Sequence, residues 1–229
     1  MALYAISDLH LSLSGEKPMD VFSSKWKDHH LQIKDNWEKI VSEDDTVLIA
    51  GDISWAMNMK EALIDLDFIA KLPGRKILSK GNHDYWWGSI KKLNSLYDNM
   101  HFIQNNYFEY KGYAICGTRG WVIPGSSIFK EEDEKIYKRE LIRLRLSLDS
   151  AKKDGFDKFI VMIHYPPVNE TFKDSDFTDV FEEYGVSKVI YGHLHDKSLN
   201  RVMTGMRNNV EYILTSVDYI DFSPVKIMD

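Results

Sequence analysis

The sequence predicts an α/β layered domain. Three observations carry that expectation. Short apolar runs of strand length alternate with longer stretches whose apolar residues recur at helical spacing. Polar residues, several of them acidic, stand where these runs meet their loops, and in such domains sites form at the carboxyl ends of strands. The chain has 229 residues, which suits one domain with a large core, residues 1–229, and neither a repeat, a low-complexity segment nor a linker divides it.

The elements follow in order. Residues 3–6 are a short apolar strand, and Asp8-Leu9-His10 follows at its end. Residues two apart in extended backbone point to the same side, so Asp8 and His10 can converge on one ion. Residues 11–25 are polar and hold Gly15 and Pro18, the marks of a loop. Residues 26–41 turn helical, with Leu31, Ile33, Trp37, Ile40 and Val41 as core contacts. His29 and His30 are adjacent there and point apart. We expect surface or helix-cap histidines, with a substrate contact from the loop above the first strand as the alternative. Residues 46–50 form the next buried strand, closed by Gly51-Asp52 in a repeat of the arrangement at Asp8. Residues 59–72 are an amphipathic helix stopped by Pro73-Gly74.

Residues 76–79 are another buried strand, and Gly81-Asn82-His83-Asp84 closes it. Gly81 permits a sharp bend. Asn82 offers a hard amide oxygen, and His83 an imidazole able to carry a proton near neutral pH. Asp84 is expected to orient that imidazole by accepting its other N–H. Residues 89–97 look like a short helix, and 101–104, 107–110 and 113–116 like successive strands around the turns Asn105-Asn106 and Lys111-Gly112. His101 opens one of these strands without a partner motif and is expected to be structural. A Gly/Pro/Ser loop over 117–127 contains Arg119 and Trp121. The acidic run from Glu131 to Glu134 suits the start of a long helix, whose Tyr137, Leu141, Leu144, Leu148 and Ala151 make one apolar face for the sheet. Residues 158–163 are strongly strand-like and end in His164-Tyr165-Pro166-Pro167, where the prolines forbid a continuing central strand. A helix over 177–184 ends at Gly185, a strand over 188–191 ends in Gly192-His193-Leu194-His195, and strands over 210–217 and 225–228 close the chain.

Composition excludes several classes. With a formal net charge of −6, the chain lacks the basic face a general nucleic-acid polymer binder needs. Its one cysteine, Cys116, allows no intrachain disulfide and is expected to be a buried small residue. No apolar run approaches the roughly 20 residues of a membrane span. The amino terminus reads directly as a strand, without a basic leader, so the cytoplasm is the expected location.

Asp8, His10, Asp52, Asn82, His164, His193 and His195 thus all fall at predicted strand ends. Nitrogen and oxygen ligands without thiolate suit a catalytic site for manganese, iron, zinc or nickel. Seven ligands are too many for one tetrahedral ion and suit two ions sharing a carboxylate.

As a set, Asp8-Leu9-His10, Gly51-Asp52, Gly81-Asn82-His83-Asp84, His164 and Gly192-His193-Leu194-His195 resemble the calcineurin-like metallophosphoesterase superfamily. The resemblance implies a four-layer αββα sandwich of two mixed β-sheets flanked by helices. It implies one metal on Asp8, His10, Asp52 and His195, a second on Asp52, Asn82, His164 and His193, and Asp52 as the bridge. Many members carry a second Asp three residues after the bridging one. Here Trp55 stands there, which bears on contacts behind the ligands and on substrate access rather than on metal binding. The implied activity is phosphoester hydrolysis. Two cations about 3.5–4 Å apart activate a bridging hydroxide for in-line attack, and His83 assists the leaving group. The alternative within this superfamily is a protein-binding scaffold with little catalysis; the full ligand set with His83 favours the enzyme.

The expected partner is a small phosphorylated substrate, nucleotides among the candidates, with monoester and diester both open. Tyr85, Trp86, Trp87 and Trp121 could form an aromatic wall able to stack a nucleobase, or could pack the core beneath the site. Arg119 could meet a phosphate. Residues 11–25 and 117–137 are the candidates for covering substrate.

Overall fold

Alternating side chains along the strands sort the chain into layers. In a computed structural model describing residues 1–15 and 17–229, the first sheet has the order β11-β1-β2-β3-β4. Its strands are β1 (Leu3–Ile6), β2 (Thr46–Ala50), β3 (Arg75–Ser79), β4 (Met100–Ile103) and β11 (Val225–Met228). The second sheet runs β5-β6-β7-β8-β10-β9. It comprises β5 (Phe108–Tyr110), β6 (Tyr113–Thr118), β7 (Phe159–Ile163), β8 (Val186–Tyr191), β9 (Gly205–Arg207) and β10 (Val210–Leu214). Both sheets are mixed: β1 to β4 run parallel with β11 antiparallel, and β6, β7, β8 and β10 run parallel with β5 and β9 antiparallel.

Leu3, Ala5, Leu48, Ala50 and Ile77 point inward and meet Ile115, Ile160, Met162 and Ile190 of the other sheet. Their strand neighbours Ile6, Val47, Ile49 and Leu78 point outward onto α1 (His29–Ile40) and α2 (Met59–Ala70), through Ile33, Trp37, Leu66 and Ile69. On the far side, Val161, Ile163 and Val189 pack on α4 (Glu131–Lys153) and α5 (Asp176–Tyr184), through Leu144, Leu148, Phe177 and Phe181. The period of two along each strand therefore builds an αββα sandwich. Each such buried aliphatic or aromatic side chain contributes about 1.5–3 kcal/mol relative to exposure.

Several boundaries differ from expectation. Helix α1 begins at His29, because Trp26 sits in a separate 3-10 turn over Ser24–Trp26 and is buried against the first-sheet cluster. Only Ile90–Leu93 of the helix expected over 89–97 is α-helical (α3). Strand β10 stops at Leu214, short of the expected 217, and the short edge strand β9 lies where the sequence predicts no strand. Glu16, inside the expected loop, lies outside the described residues. Among the described residues no helix is long and apolar enough to cross a membrane. Cys116 is buried, and burial pushes its thiol up to about 12.

The two sheets meet at the carboxyl ends of their parallel strands. The Ser7 amide donates to the Thr215 carbonyl at 2.8 Å, and the Val217 amide returns to the Ser7 carbonyl at 3.2 Å. Beyond β1, the Asp8 and His10 amides donate to the carbonyls of Gly51 (2.9 Å) and Asp52 (3.0 Å). Beyond β8, the Gly192 amide donates to the His164 carbonyl at 3.1 Å. These bonds gather the polar strand ends of both sheets into one place.

Candidate metal centre

The turns that present these side chains use backbone that L-residues rarely adopt. Asp8, His10, Asp52 and His193 have φ of 59°, 44°, 50° and 71°. Each left-handed residue of this kind costs about 1–2 kcal/mol, a strain that surrounding structure must hold in place. Close approach is the second device. A Cβ on Gly81 would collide with the backbone nitrogen and Oδ1 of Asp52, and one on Gly192 with the Asp8 carboxylate and the Ser7 hydroxyl.

Two clusters result: Asp8, His10 and His195, and Asp52, His164 and His193. Each draws residues from both sheets. In the first, His195 Nε2 lies 3.3 Å from Asp8 Oδ1 and 3.3 Å from His10 Nε2. In the second, His164 Nε2 lies 3.3 Å from Asp52 Oδ2 and 2.9 Å from Asn82 Oδ1. Asp52 Oδ2 is also 3.8 Å from His10 Nε2, so this carboxylate stands between the clusters. Its other oxygen accepts the His83 amide at 2.8 Å, which fixes the carboxylate's orientation.

Partners behind the clusters aim the imidazoles. His164 Nδ1 donates to the Ala50 carbonyl at 2.9 Å, and His195 Nδ1 donates to Asp218 Oδ1 at 2.7 Å. Each bond leaves Nε2 facing the carboxylates, the arrangement that suits a metal-ligating histidine. Asp8 accepts the His193 amide at 3.0 Å and the Ser7 hydroxyl at 2.6 Å. Asp218 is a site residue the sequence reading missed. It stands directly after the apolar run 210–217, the same signal that picked out Asp8 and Asp52.

Electrostatics follow from burial and close opposite charges. Burial alone would raise Asp8 and Asp52, yet the neighbouring histidines hold both well below the usual carboxylate range. Burial also disfavours charged His164 and His195. Asp52 lifts the former to about 9, and the Asp218 and Asp8 bonds lift the latter to about 10. Burial wins at His10 and His193, which fall to about 4 and 3. The buried carboxylate oxygens and the imidazole Nε2 atoms, once those of His164 and His195 have given up their protons, form a donor set suited to cations. The nitrogen and oxygen set, without sulfur, fits manganese, iron, zinc or nickel.

His83 sits at the edge of this centre. Its Nε2 is 4.0 Å from Asp52 Oδ2 with the side chain 32% exposed, and burial lowers its pKa. Trp55 packs on both His10 (centroids 4.9 Å apart) and His83 (4.1 Å), and its indole N–H donates to Met19 Sδ within the loop 11–25.

Asp84, Trp86 and His29 depart from the roles expected of them, and Arg119, Trp121 and His101 take definite places. Asp84 does not hold the His83 imidazole, whose Nδ1 has no partner among the described residues. The Asp84 carboxylate instead accepts the amides of Gly81 (2.7 Å), Ile53 (2.9 Å) and Ser54 (3.2 Å), so it pins the Gly81 turn to the loop after β2. Burial and the Asp52 charge raise it to about 6. Trp86 is buried in the first-sheet core and donates to Asp84 at 3.2 Å, so it is unavailable to substrate; Trp87 is buried beside it. His29 is neither a surface nor a capping residue: its ring is buried, with its nitrogens facing the carbonyls of Trp26 and Leu9 at 3.1 and 3.0 Å. Arg119 is half-buried, 3.4 Å from Glu140 Oε1, with its guanidinium 4.3 Å over the Trp121 ring. Trp121 is half-buried, donates to Asp133 Oδ1 at 2.8 Å, and lines a cavity beside His193. His101 packs its ring on Phe108, 4.9 Å between centroids.

Comparison with known proteins bears on this geometry. Gene 66 protein of Mycobacterium phage L5 is 36% identical over 78 residues, 34% of this chain and 37% of that protein. The chain thus matches well under half the length of that relative. Gene 66 protein of Mycobacterium phage D29 is 24% identical over 181 residues, 79% of this chain and 72% of that one. Among solved structures, the phosphopantetheinyl hydrolase of Mycobacterium tuberculosis superposes with a TM-score of 0.58 at 16% identity, covering 99% of this chain and 95% of that one. The protein TT1561 of Thermus thermophilus gives 0.55 at 10% identity, covering 99% and 97%. These two share the fold. Residues 1–197, which include every strand end in the two clusters, match the calcineurin-like phosphoesterase family, and to that family of metal-dependent phosphoester hydrolases the chain belongs.

Proposed function

We propose that the chain, acting as one domain over residues 1–229, is a binuclear metal-dependent phosphoesterase. One observation carries the reading: Asp52 Oδ2 lies within 4 Å of His164 and His10, which belong to different clusters. One ion would take Asp8, His10, Asp52 and His195, the other Asp52, Asn82, His164 and His193. Bound there, manganese, iron, zinc or nickel ions would act as Lewis acids toward the phosphoryl oxygens and lower the pKa of water.

The chain's own residues do the rest. The Ala50 carbonyl and Asp218 keep the His164 and His195 rings turned toward the carboxylates. Asp84 holds the Gly81 turn from which Asn82 and His83 project. His83, partly open to solvent, can hold a proton at Nε2 and pass it to a departing oxygen, a role worth roughly 10²–10⁴-fold. The Trp55 face restricts where that imidazole can swing. The substrate is a small phosphorylated compound, nucleotides included, and the cytoplasm is the proposed setting.

The test is hydrolysis of aryl phosphate mono- and diesters by manganese-loaded protein, with metal content measured on the same samples. Two ions per chain are expected. Asp52→Asn should fold but lose nearly all turnover, because it removes the negative charge between both clusters. Saturation below one ion per chain, or wild-type turnover in Asp52→Asn, would sink the binuclear reading.

A further inference from the structure

Beside the His164–His193 cluster the surface opens into a cavity of about 300 Å³. Its wall starts at His193 itself. The Tyr165 ring lies 4.1 Å from the His193 ring, tilted by 33°, and the Trp121 ring lies 5.1 Å from Tyr165. A row of ring faces therefore leads outward from the candidate metal centre. The Trp121 indole N–H is already engaged by Asp133, which fixes that ring in place. Val168, Phe172 and Met203 also line the cavity, as does Ile128, which is 65% exposed.

Charge is sparse there. Among the described residues the lining holds neither lysine nor aspartate. Glu170 already accepts the Ser127 amide at 2.6 Å, and the Arg201 guanidinium lies 5.7 Å over the Phe172 ring. Ser126, Ser127, Asn169 and Ser198 also face this space, but aliphatic and aromatic side chains make up most of its wall, so a charged or hydroxyl-rich group that misses those few polar partners would stay unpaired, at a cost of about 1–3 kcal/mol for each group. An apolar or aromatic group would lose nothing comparable and would gain ring contact. Small-molecule pockets span roughly 300–1,000 Å³, so this one suits a single compact group rather than a polymer.

We propose that the cavity receives the organic group esterified to the phosphate and selects one that is uncharged and apolar, with an aromatic ring system as its best occupant. The inference rests on the phosphoesterase reading, and it names the substrate class for that site. Continuity decides the occupant: the cavity shares His193 with the candidate metal centre, so a phosphoryl group held at the centre directs its ester substituent along Tyr165 and Trp121.

Two measurements on the manganese-loaded full chain test it. The first compares kcat/KM for 2-naphthyl and phenyl phosphate. The second compares, by calorimetry, binding of 2-naphthylmethylphosphonate and methylphosphonate, neither of which can be hydrolysed. The naphthyl compound should be preferred about tenfold or more in both, the range expected for added apolar contact. Ile128→Asp should cut that preference about tenfold, whereas Ile142→Asp, on an exposed position of α4 away from the cavity, should keep it. A Met203→Lys variant repeats the test from a second wall of the cavity. Equal affinity for both phosphonates, or a preference that survives both Ile128→Asp and Met203→Lys, would overturn the assignment. Hydrolysis without the preference removes the cavity's role alone. The phosphonate preference without hydrolysis of any ester keeps the cavity and overturns the phosphoesterase reading.

Discussion

Removing the Asp218 carboxylate should weaken one metal site and spare the other. Its Oδ1 accepts His195 Nδ1 at 2.7 Å, and its side chain is only 5% exposed. A hydrogen bond to a charged group contributes about 1.5–3 kcal/mol. At about 1.4 kcal/mol per factor of ten, Asp218→Ala should weaken the ion held by Asp8, His10 and His195 by about 10–100-fold, the range found when such supporting partners are removed. Asp218→Asn keeps an acceptor oxygen and loses the charge, so its loss should lie near the lower figure. The ion at Asp52, His164 and His193 has no contact with Asp218 and should keep its affinity. Calorimetric titration with manganese should therefore turn from two similar sites into one strong and one weak. A thermal melt of each variant separates this from misfolding. The reasoning fails if both sites weaken together in a protein that melts normally, or if neither changes.

His83→Ala should retain both ions and lose rate, by about 10²–10⁴-fold for esters with poor leaving groups and by less for an activated aryl ester; equal losses across a series of leaving-group pKa would reject proton donation, and loss of an ion would make His83 a ligand. Asp45 supplies a pH prediction away from the centre. Burial opposes its charge, but the amides of Ser42 and Ala2 and the Ser42 hydroxyl outweigh this and hold the carboxyl down to about 2. A depressed carboxylate contributes stability that is complete above its unfolded value of 3.8 and is lost as pH falls through the folded one. Urea midpoints should therefore drop between about pH 4 and 2, and Asp45→Asn should flatten that limb; an unchanged acid limb in the variant would show that other carboxylates set it.

Legibility followed the range of the interaction. Residues such as Asp8, Asp52 and His164 could be read because each closes an apolar run, and a strand's carboxyl end is where an α/β sheet presents its site. The layers were readable in part for the same reason: along Thr46–Ala50 every residue is buried, with Leu48 and Ala50 on one face and Val47 and Ile49 on the other. Asp218 closes the run 210–217 much as Asp8 closes its strand, but no second ligand type stands beside it, and nothing local links it to His195 across the intervening chain. Asp84 adjoins His83 in sequence, yet two of its four donors, the Ile53 and Ser54 amides, stand on another loop; spacing along the chain cannot show which distant donors will reach a buried carboxylate. For Trp86 and Trp87 the sequence left a substrate wall and the core both open, and they lie in the core, since which way an aromatic turns at a strand end depends on the layer beneath it. Strand β9 is three residues at a sheet edge, too short for any periodicity to register.

The division of each cluster between the two sheets has a mechanical consequence. The chain passes from the first sheet to the second between Ile103 and Phe108, and only β11 comes back. Ions seated in these clusters would act as rivets across the seam, tying Asp8 and His10 to His195 and Asp52 to His164 and His193. Each would add roughly 4 kcal/mol of resistance to unfolding when free metal stands about a thousandfold above its dissociation constant. A chelator would then do two things at once: it would stop turnover, and it would let the two sheets part more readily at the strand ends that the ions join.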